Sequence, residues 1–342
     1  MRALIKDPRL SAEDAARLLT LIEQHPHAEP AARLEVISTL MRLLPEQREE
    51  FIRREVARFE SRDHVGERGG LVELAAWLAE HHAYTELHRL IPRHLARSSR
   101  ELYTALVKAL ASEGRWQDMK SLLNEERPPV SPTLIKLWLA DAESHLQPDG
   151  REARRQILLA IDCARTAHEA EELELASGLA ERLGWTDIAL QAVKYLRPEA
   201  PHRQGDLLSR ARGLAARSQD THSLLEITRD LLALHPESTQ YADDLAYLRL
   251  LLGEEMEIVS LGGKKLPSFY AALNAYRLGD GAALPQLLTH TSNTEGLPAG
   301  RRAVLSGLLA KAGETARAFQ IAEKVPDALL LDEERVFLKM AR

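Results

Sequence analysis

Between Thr239 and Gly253 the chain reads TQYADDLAYLRLLLG, and its apolar residues gather on one broad side only if the segment is helical. Leu245, Ala246, Leu248, Leu250, Leu251 and Leu252 form that side, with Ala242 on its edge, while Asp243, Asp244 and Arg249 are expected in water. The pattern predicts about four turns of helix, stopped at Gly253, where a residue without Cβ takes positive φ at no steric cost. The preceding helix ends in Leu234, His235 and Pro236.

The same unit recurs along the chain. At the front, Ser11 is a predicted N-cap with Glu13 and Asp14 in the first helical turn. A second helix ends at Pro45, and a charged third carries Phe51, Ile52, Val56 and Phe59 at helical spacing. The stretch Asp63–Gly70, DHVGERGG, predicts a joint or long loop. From Leu71 onward helices come in pairs whose turns fall near positions 83, 114, 150, 184, 219, 253, 279 and 313. Most steps are about 31–36 residues and one is about 26, the period of a helical repeat. No strand-like alternation of useful length interrupts them. The expected fold is therefore all-α, an α-solenoid of antiparallel helix pairs. Residues 1–69 form a helical lead-in or cap, 70–326 the repeats with an irregular break near 254–268, and 327–342 a C-terminal capping helix.

Several residues carry a resemblance. Gly114 is followed by Trp116 and Pro128; Gly184 by Trp185, Ala189 and Pro198; Gly313 by Ala318 and Pro326. Glycine between two helices, an aromatic just after it, an alanine and a closing proline resemble the tetratricopeptide repeat in degenerate form, over roughly residues 70 to 326. The chain departs from that pattern where Ala246, Ser177 and Ser306 stand mid-helix in place of glycine, and where Gln219 replaces a turn glycine. The resemblance implies a right-handed superhelix whose first helices line a concave groove for a peptide or partner protein. HEAT-like or other helix-pair solenoids are the structural alternative.

Composition agrees with a folded chain: 342 residues, 45% apolar and 28% charged, with a formal net charge of −6. That acidity disfavours a nucleic-acid partner, which selects for a strong basic face. Arginine far outnumbers lysine, which is read as codon usage ahead of a preference for bidentate contacts. Cys163 is the only cysteine, so neither a disulfide framework nor a thiolate metal site is expected, and it reads as a small buried hydrophobe. No segment reaches about 18 uncharged apolar residues. The expectation is a chain that does not insert in a membrane, cytoplasmic or the soluble part of a longer tethered protein.

Candidate chemistry is sparse. His81, His82, His88 and His94 cluster without HExxH or another metal spacing and read as surface histidines. Gly262 and Gly263 precede Lys264 and Lys265, but the phosphate-loop pattern after a strand is missing, so they read as an irregular break in the repeats. Asp243 and Asp244 read as a hydrated helix face, and the acidic run Glu169, Glu171, Glu172 and Glu174 likewise. Trp77, Trp116, Trp138 and Trp185 lie among Leu and Ala, as core residues do. No catalytic, cofactor-binding or metal-ligating set is assigned, and the chain is read as not an enzyme.

By analogy with the family's register, outward positions of successive first helices include Lys108, Glu174, Arg182, Asp206, Arg217, Asp243, Tyr247, Tyr276 and Arg277. Tyr247, Tyr276 and Arg277 are the residue types that anchor interfaces, and they flank the irregular break. Partner binding is accordingly expected at Tyr247, Tyr276, Arg277, Asp243, Arg217, Arg182 and Lys108. The expected function is a non-enzymatic scaffold for a protein or peptide partner. Alternatives are an RNA-binding array, and a helical domain of a larger enzyme or membrane-tethered protein. A homodimer through Leu331, Val336, Phe337 and Met340 of the last helix is a further expectation.

Overall fold

The computed structural model describes residues 10–25, 30–61, 68–125, 127–147, 149–254, 268–289 and 296–342. Among them all regular structure is helical, twenty α-helices and four short 3-10 turns, and no strand occurs. Consecutive helices pack against one another. The chain divides into two units, Met1–Leu159 and Ala160–Arg342.

The first unit opens as its caps dictate. Ser11 Oγ accepts the Asp14 amide at 3.1 Å and starts α1 (Ala12–Gln24), with Glu13 and Asp14 at its electropositive end. Helix α2 (Pro30–Leu43) stops short of Pro45, and α3 (Arg48–Ser61) buries Ile52 and Val56. Positions 63–67 of the expected joint lie outside the described residues, and α4 (Arg68–Glu80) is already running at its end. Then follow α5 (Tyr84–Leu90), the single turn α6 (Arg93–Ala96), α7 (Arg100–Ser112), α8 (Trp116–Leu123) and α9 (Pro132–Leu146). The division between the units falls inside α10 (Arg151–Ala167).

Trp77 is buried in this unit and its indole N–H donates to Ser38 Oγ at 2.8 Å; Trp116 and Trp138 pack on the same core. These three tryptophans thus serve packing, as their surroundings in the sequence imply. His81 differs from the expected surface histidine. It is half-buried, edge-on to Trp77, with Nε2 2.7 Å from Ser38 Oγ, and burial holds its pKa below the ordinary value.

The second unit holds α11 (Ala170–Arg182), α12 (Thr186–Glu199), α13 (Gln204–Arg217), α14 (Thr221–Leu234) and α15 (Thr239–Leu251). After them come α16 (Ser268–Arg277), α17 (Leu284–Leu288), α18 (Ala299–Lys311), α19 (Thr315–Glu323) and α20 (Asp332–Ala341). The irregular break expected near 254–268, with Gly262 to Lys265, lies outside the described residues except at its ends. Helix α12 continues through Pro198 to Glu199, one residue beyond the stop that the proline suggests. Cys163 is half-buried, not the fully buried hydrophobe expected.

One turn recurs within both units. At Gly114, Gly184 and Gly313 the backbone is left-handed, and the next amide reaches back to close the helix: Arg115 N to Leu110 O, Trp185 N to Ala180 O and Glu314 N to Leu309 O, each at 2.9 Å. Gln219, at φ 60°, makes the same turn without glycine, with Asp220 N bonding Ala215 O at 3.0 Å. Arginine–carboxylate bridges link helices about one repeat apart. In the first unit Arg93 and Arg97 both hold Glu125, and in the second Arg210 spans Glu174 (2.8 Å) and Glu181 (2.6 Å) while Arg197 holds Asp230 (2.6 Å). Whatever its origin, the arginine excess serves bidentate and bridging contacts here.

Candidate functional site

A polar cluster in the second unit forms around α15. Ser238 caps this helix, its Oγ accepting the Tyr241 amide at 3.3 Å. From there the 3.6-residue period sets Asp243, Asp244, Tyr247 and Leu248 on adjoining faces. Opposite them stands α18, which begins at Pro298 and brings Gly300 and Arg301 up in its first turn. Arg301 is forked between two carboxylates, Nη1 to Asp243 Oδ2 at 2.6 Å and Nη2 to Asp244 Oδ1 at 2.7 Å. Asp244 Oδ2 accepts a further bond from Arg212 of α13, and Asp243 Oδ1 accepts the Tyr270 hydroxyl of α16 at 2.7 Å. The Arg301 guanidinium lies over the rings of Tyr247 and Tyr270, at 5.1 and 5.8 Å from their centroids.

Helix α20 completes the cluster. Glu334, buried to 5% exposure, accepts the Tyr247 hydroxyl on Oε1 at 2.7 Å and the Leu331 amide on Oε2 at 2.8 Å. One carboxylate thereby caps α20 and ties it to α15. Its neighbours reach α14 and the turn before it: Thr221 Oγ1 donates to Glu333 at 2.5 Å and Arg335 Nη1 to Gln219 Oε1 at 2.9 Å. Helix α20 seats because α18 is bare where they touch. A Cβ on Gly300 would collide with the Glu334 carboxylate, and one on Gly307 would lie 2.5 Å from Phe337 O.

Burial sets the protonation of these groups. Desolvation holds the Glu334 carboxyl above the ordinary range, with the Leu331 amide and the Tyr247 hydroxyl pulling the other way. Asp244 is likewise held up by burial, against Arg212 and Arg301. Tyr247 and Tyr270 are pushed up by burial and by the carboxylates that accept their protons. Burial disfavours the Arg301 cation, but Tyr270 and the two aspartates outweigh it and hold the guanidinium charged.

Beside the cluster a cavity of about 360 Å³ opens to solvent. Its lining mixes apolar Leu224, Leu248, Pro298 and Leu331 with polar Arg212, Gln240, Asp244, Tyr247, Arg301 and Glu334.

The expected partner-binding residues separate into two groups. Tyr247 is buried at 6% exposure with its hydroxyl bonded to Glu334, and it contributes to the lining of the cavity beside α15. Asp243 and Asp244 belong to the Arg301 fork and are not the hydrated face that the sequence suggested. Tyr276 packs edge-on against Phe337, ring centroids 5.3 Å apart. Arg277 gives its guanidinium to the last carbonyls of α15, Leu250 O at 3.1 Å and Leu251 O. By contrast, Lys108, Arg182, Asp206 and Arg217 are exposed, Arg217 is bridged to Glu181 at 3.0 Å, and Glu174 is partly exposed. The last helix also turns its apolar residues inward: Leu331 and Phe337 are buried, Met340 is half-buried, and Val336 stays 52% exposed. Among the described residues no group of three or more His, Cys, Asp or Glu is placed to hold a metal ion, and no helix is long and apolar enough to cross a membrane.

Sequence reasoning missed Arg301, Glu334, Tyr270 and Arg212. One signal was present. Glu334 stands on the apolar stripe of Leu331, Phe337, Leu338 and Ala341, where an unpartnered carboxylate would be costly. No protein-family model matches the chain and no curated protein matches it, so the tetratricopeptide resemblance rests on the residues that carry it.

Proposed function

We propose that the chain is a non-enzymatic scaffold, a tetratricopeptide-like α-solenoid that holds a partner protein or extended peptide, in the cytoplasm or as the soluble part of a tethered protein. One observation carries the reading. The same left-handed turn returns at Gly184, Gln219 and Gly253, 35 and 34 residues apart, the spacing of a two-helix repeat. The mid-helix small residues Ala246, Ser177 and Ser306, which stand where the family has glycine, are all buried, as close helix crossing requires.

The partner contacts are drawn from the first-helix residues that remain exposed: Lys108 on α7, Arg182 on α11 and Arg217 on α13. Tyr247, Tyr276, Arg277 and Asp243 support the site indirectly, by closing the second unit. The test is affinity capture from native lysate by the intact chain and by the triple variant Lys108→Glu, Arg182→Glu, Arg217→Glu, with circular dichroism as the fold control. A protein captured by the intact chain and lost by the folded variant supports the reading. Equal capture by both rejects the assigned residues, and nuclease-sensitive capture replaces a protein partner with RNA.

A further inference from the structure

Four left-handed turns of the second unit, at Gly184, Gln219, Gly253 and Gly313, share a register position six residues upstream. Before Gly253 that position is Tyr247 and before Gly313 it is Gly307. Helix α20 covers both: Glu334 holds the Tyr247 hydroxyl, and the Phe337 carbonyl oxygen would lie 2.5 Å from a Gly307 Cβ. Before Gly184 and Gln219 the position is Gly178 and Gly213. Both are exposed in mid-helix, and a Cβ on either would meet nothing within 4 Å. Glycine there weakens its own helix, and among the described residues no packing demands it. Their helices lie side by side, because Arg210 of α13 bridges to Glu174 and Glu181 of α11.

The rest of this face is also open. On α11 it carries Glu171, Leu175, Gly178 and Arg182 at helical spacing, all exposed, with Leu175 at 54%. On α13 Asp206 and Arg217 repeat the order, acid in the first turn and arginine in the last. Those charges also suit the dipoles of their own helices, but the dipoles do not account for the paired glycines. Helix α13 adjoins α15 through Arg212 and Asp244, so the open face continues from the surface that α20 covers. What α20 does at Gly307 shows the element that fits such a position: a helix, seated closely where Cβ is missing. We infer that the α11–α13 face seats an amphipathic helix of a partner protein, antiparallel to both. Its acidic N-terminal turn lies on Arg182 and Arg217, its basic C-terminal turn on Glu171 and Asp206, and its apolar side over Leu175 and the two glycines. That direction also opposes the helix dipoles, and the site spans about three turns. The inference rests on the scaffold reading and narrows it, since Arg182 and Arg217 are contacts in both.

Fluorescence anisotropy with the intact chain tests it. The probe is a labelled alanine–leucine peptide of about 16 residues, long enough to be helical, with glutamates in its first turn and lysines in its last. It should bind saturably. The same peptide with the charges exchanged should bind at least about tenfold more weakly, and so should a version broken by central prolines. Gly178→Gln with Gly213→Gln puts side chains into open space and replaces poor helix formers, so the fold is kept, as circular dichroism verifies. That pair should weaken the acid-first helix by about tenfold or more. Arg182→Gln with Arg217→Gln should reduce the preference between the two charge orders to about twofold or less. Acid-first binding indifferent to the glycine pair would overturn the site, and indifference to charge order would overturn the direction. Equal binding of the proline-broken peptide would overturn the helix and give the face to an extended segment, with the scaffold reading intact. Absence of saturable binding by these peptides would overturn the inference alone; the scaffold reading falls only if the intact chain captures no protein from lysate.

Discussion

Tyr247 donates its hydroxyl proton to Glu334 across 2.7 Å, joining residues 87 apart in the chain. The bond marks where α20 returns to the interior of the second unit. Around it Arg301 binds Asp243 and Asp244, and Phe337 packs on Tyr276. The interface-type residues Tyr247, Tyr276 and Arg277 of α15 and α16 thus make contacts within the second unit, whereas Lys108, Arg182 and Arg217 are exposed.

Glycine at position 307 is required by the approach of α20, whereas glycine at 178 is not. A Cβ at 307 would meet Phe337 O at 2.5 Å and Phe337 Cβ at 2.8 Å, while at 178 nothing lies within 4 Å. Gly307→Ala should lower unfolding stability by about 2 kcal/mol through overpacking. Gly178→Ala, in the middle of α11, should raise it by about 0.5–1 kcal/mol. Urea denaturation of both variants checks the contrast, and effects of the same sign would refute the close seat of α20.

Much of this was legible in the chain, and the remainder was hidden for a physical reason. The turn at Gly253, the cap at Ser11 and the pairing around Gly114 and Gly184 are local events, set by backbone freedom and hydrophobic period. The fate of Tyr247 is not local. It depends on Glu334, on the closeness that Gly300 and Gly307 allow, and on Arg301 arriving from a third helix. A tyrosine among leucines reads the same whether its hydroxyl meets water or a buried carboxylate. The Asp243–Asp244 pair misled likewise, because adjacent acids resemble a wet surface until the arginines that claim them are placed.

Removal of Arg301 should be costly. Arg301→Met leaves the adjacent, partly buried Asp243 and Asp244 with only Arg212 and the Tyr270 hydroxyl to offset them, and should destabilise the unit by about 3 kcal/mol. Arg301→Lys should recover only part of that, since one ammonium cannot reproduce the two-pronged fork. Equilibrium denaturation measures both, and a loss below about 0.5 kcal/mol for the methionine variant, the scale of an ordinary surface change, would contradict the fork.

Stability should also depend on pH through Glu334. Burial raises its folded pKa above the ordinary carboxylate value, so its contribution is fully present below that value and is lost as pH rises through the raised one. Asp244, and Glu55 in the first unit, share that sign. Glu181 and Asp220 have the opposite one, because arginine partners and the Ser223 hydroxyl and amide outweigh their burial. The comparison that isolates Glu334 is the stability gap between the intact chain and Glu334→Gln, which cannot titrate. That gap should shrink as pH rises above the ordinary carboxylate range; a gap that widens would reverse the assigned environment.

The central claim is that the inward positions of α15 are used by the chain's own C-terminal helix. A double-mutant cycle on Tyr247→Phe and Glu334→Leu, which has no acceptor, read by urea denaturation at neutral pH, tests it most directly. Each single change should cost about 1–2 kcal/mol, and the pair should be non-additive by about 1 kcal/mol or more, because either one removes the same hydrogen bond. Strict additivity of the two substitutions would mean that Tyr247 and Glu334 do not meet, and that α20 leaves the interior of the second unit open.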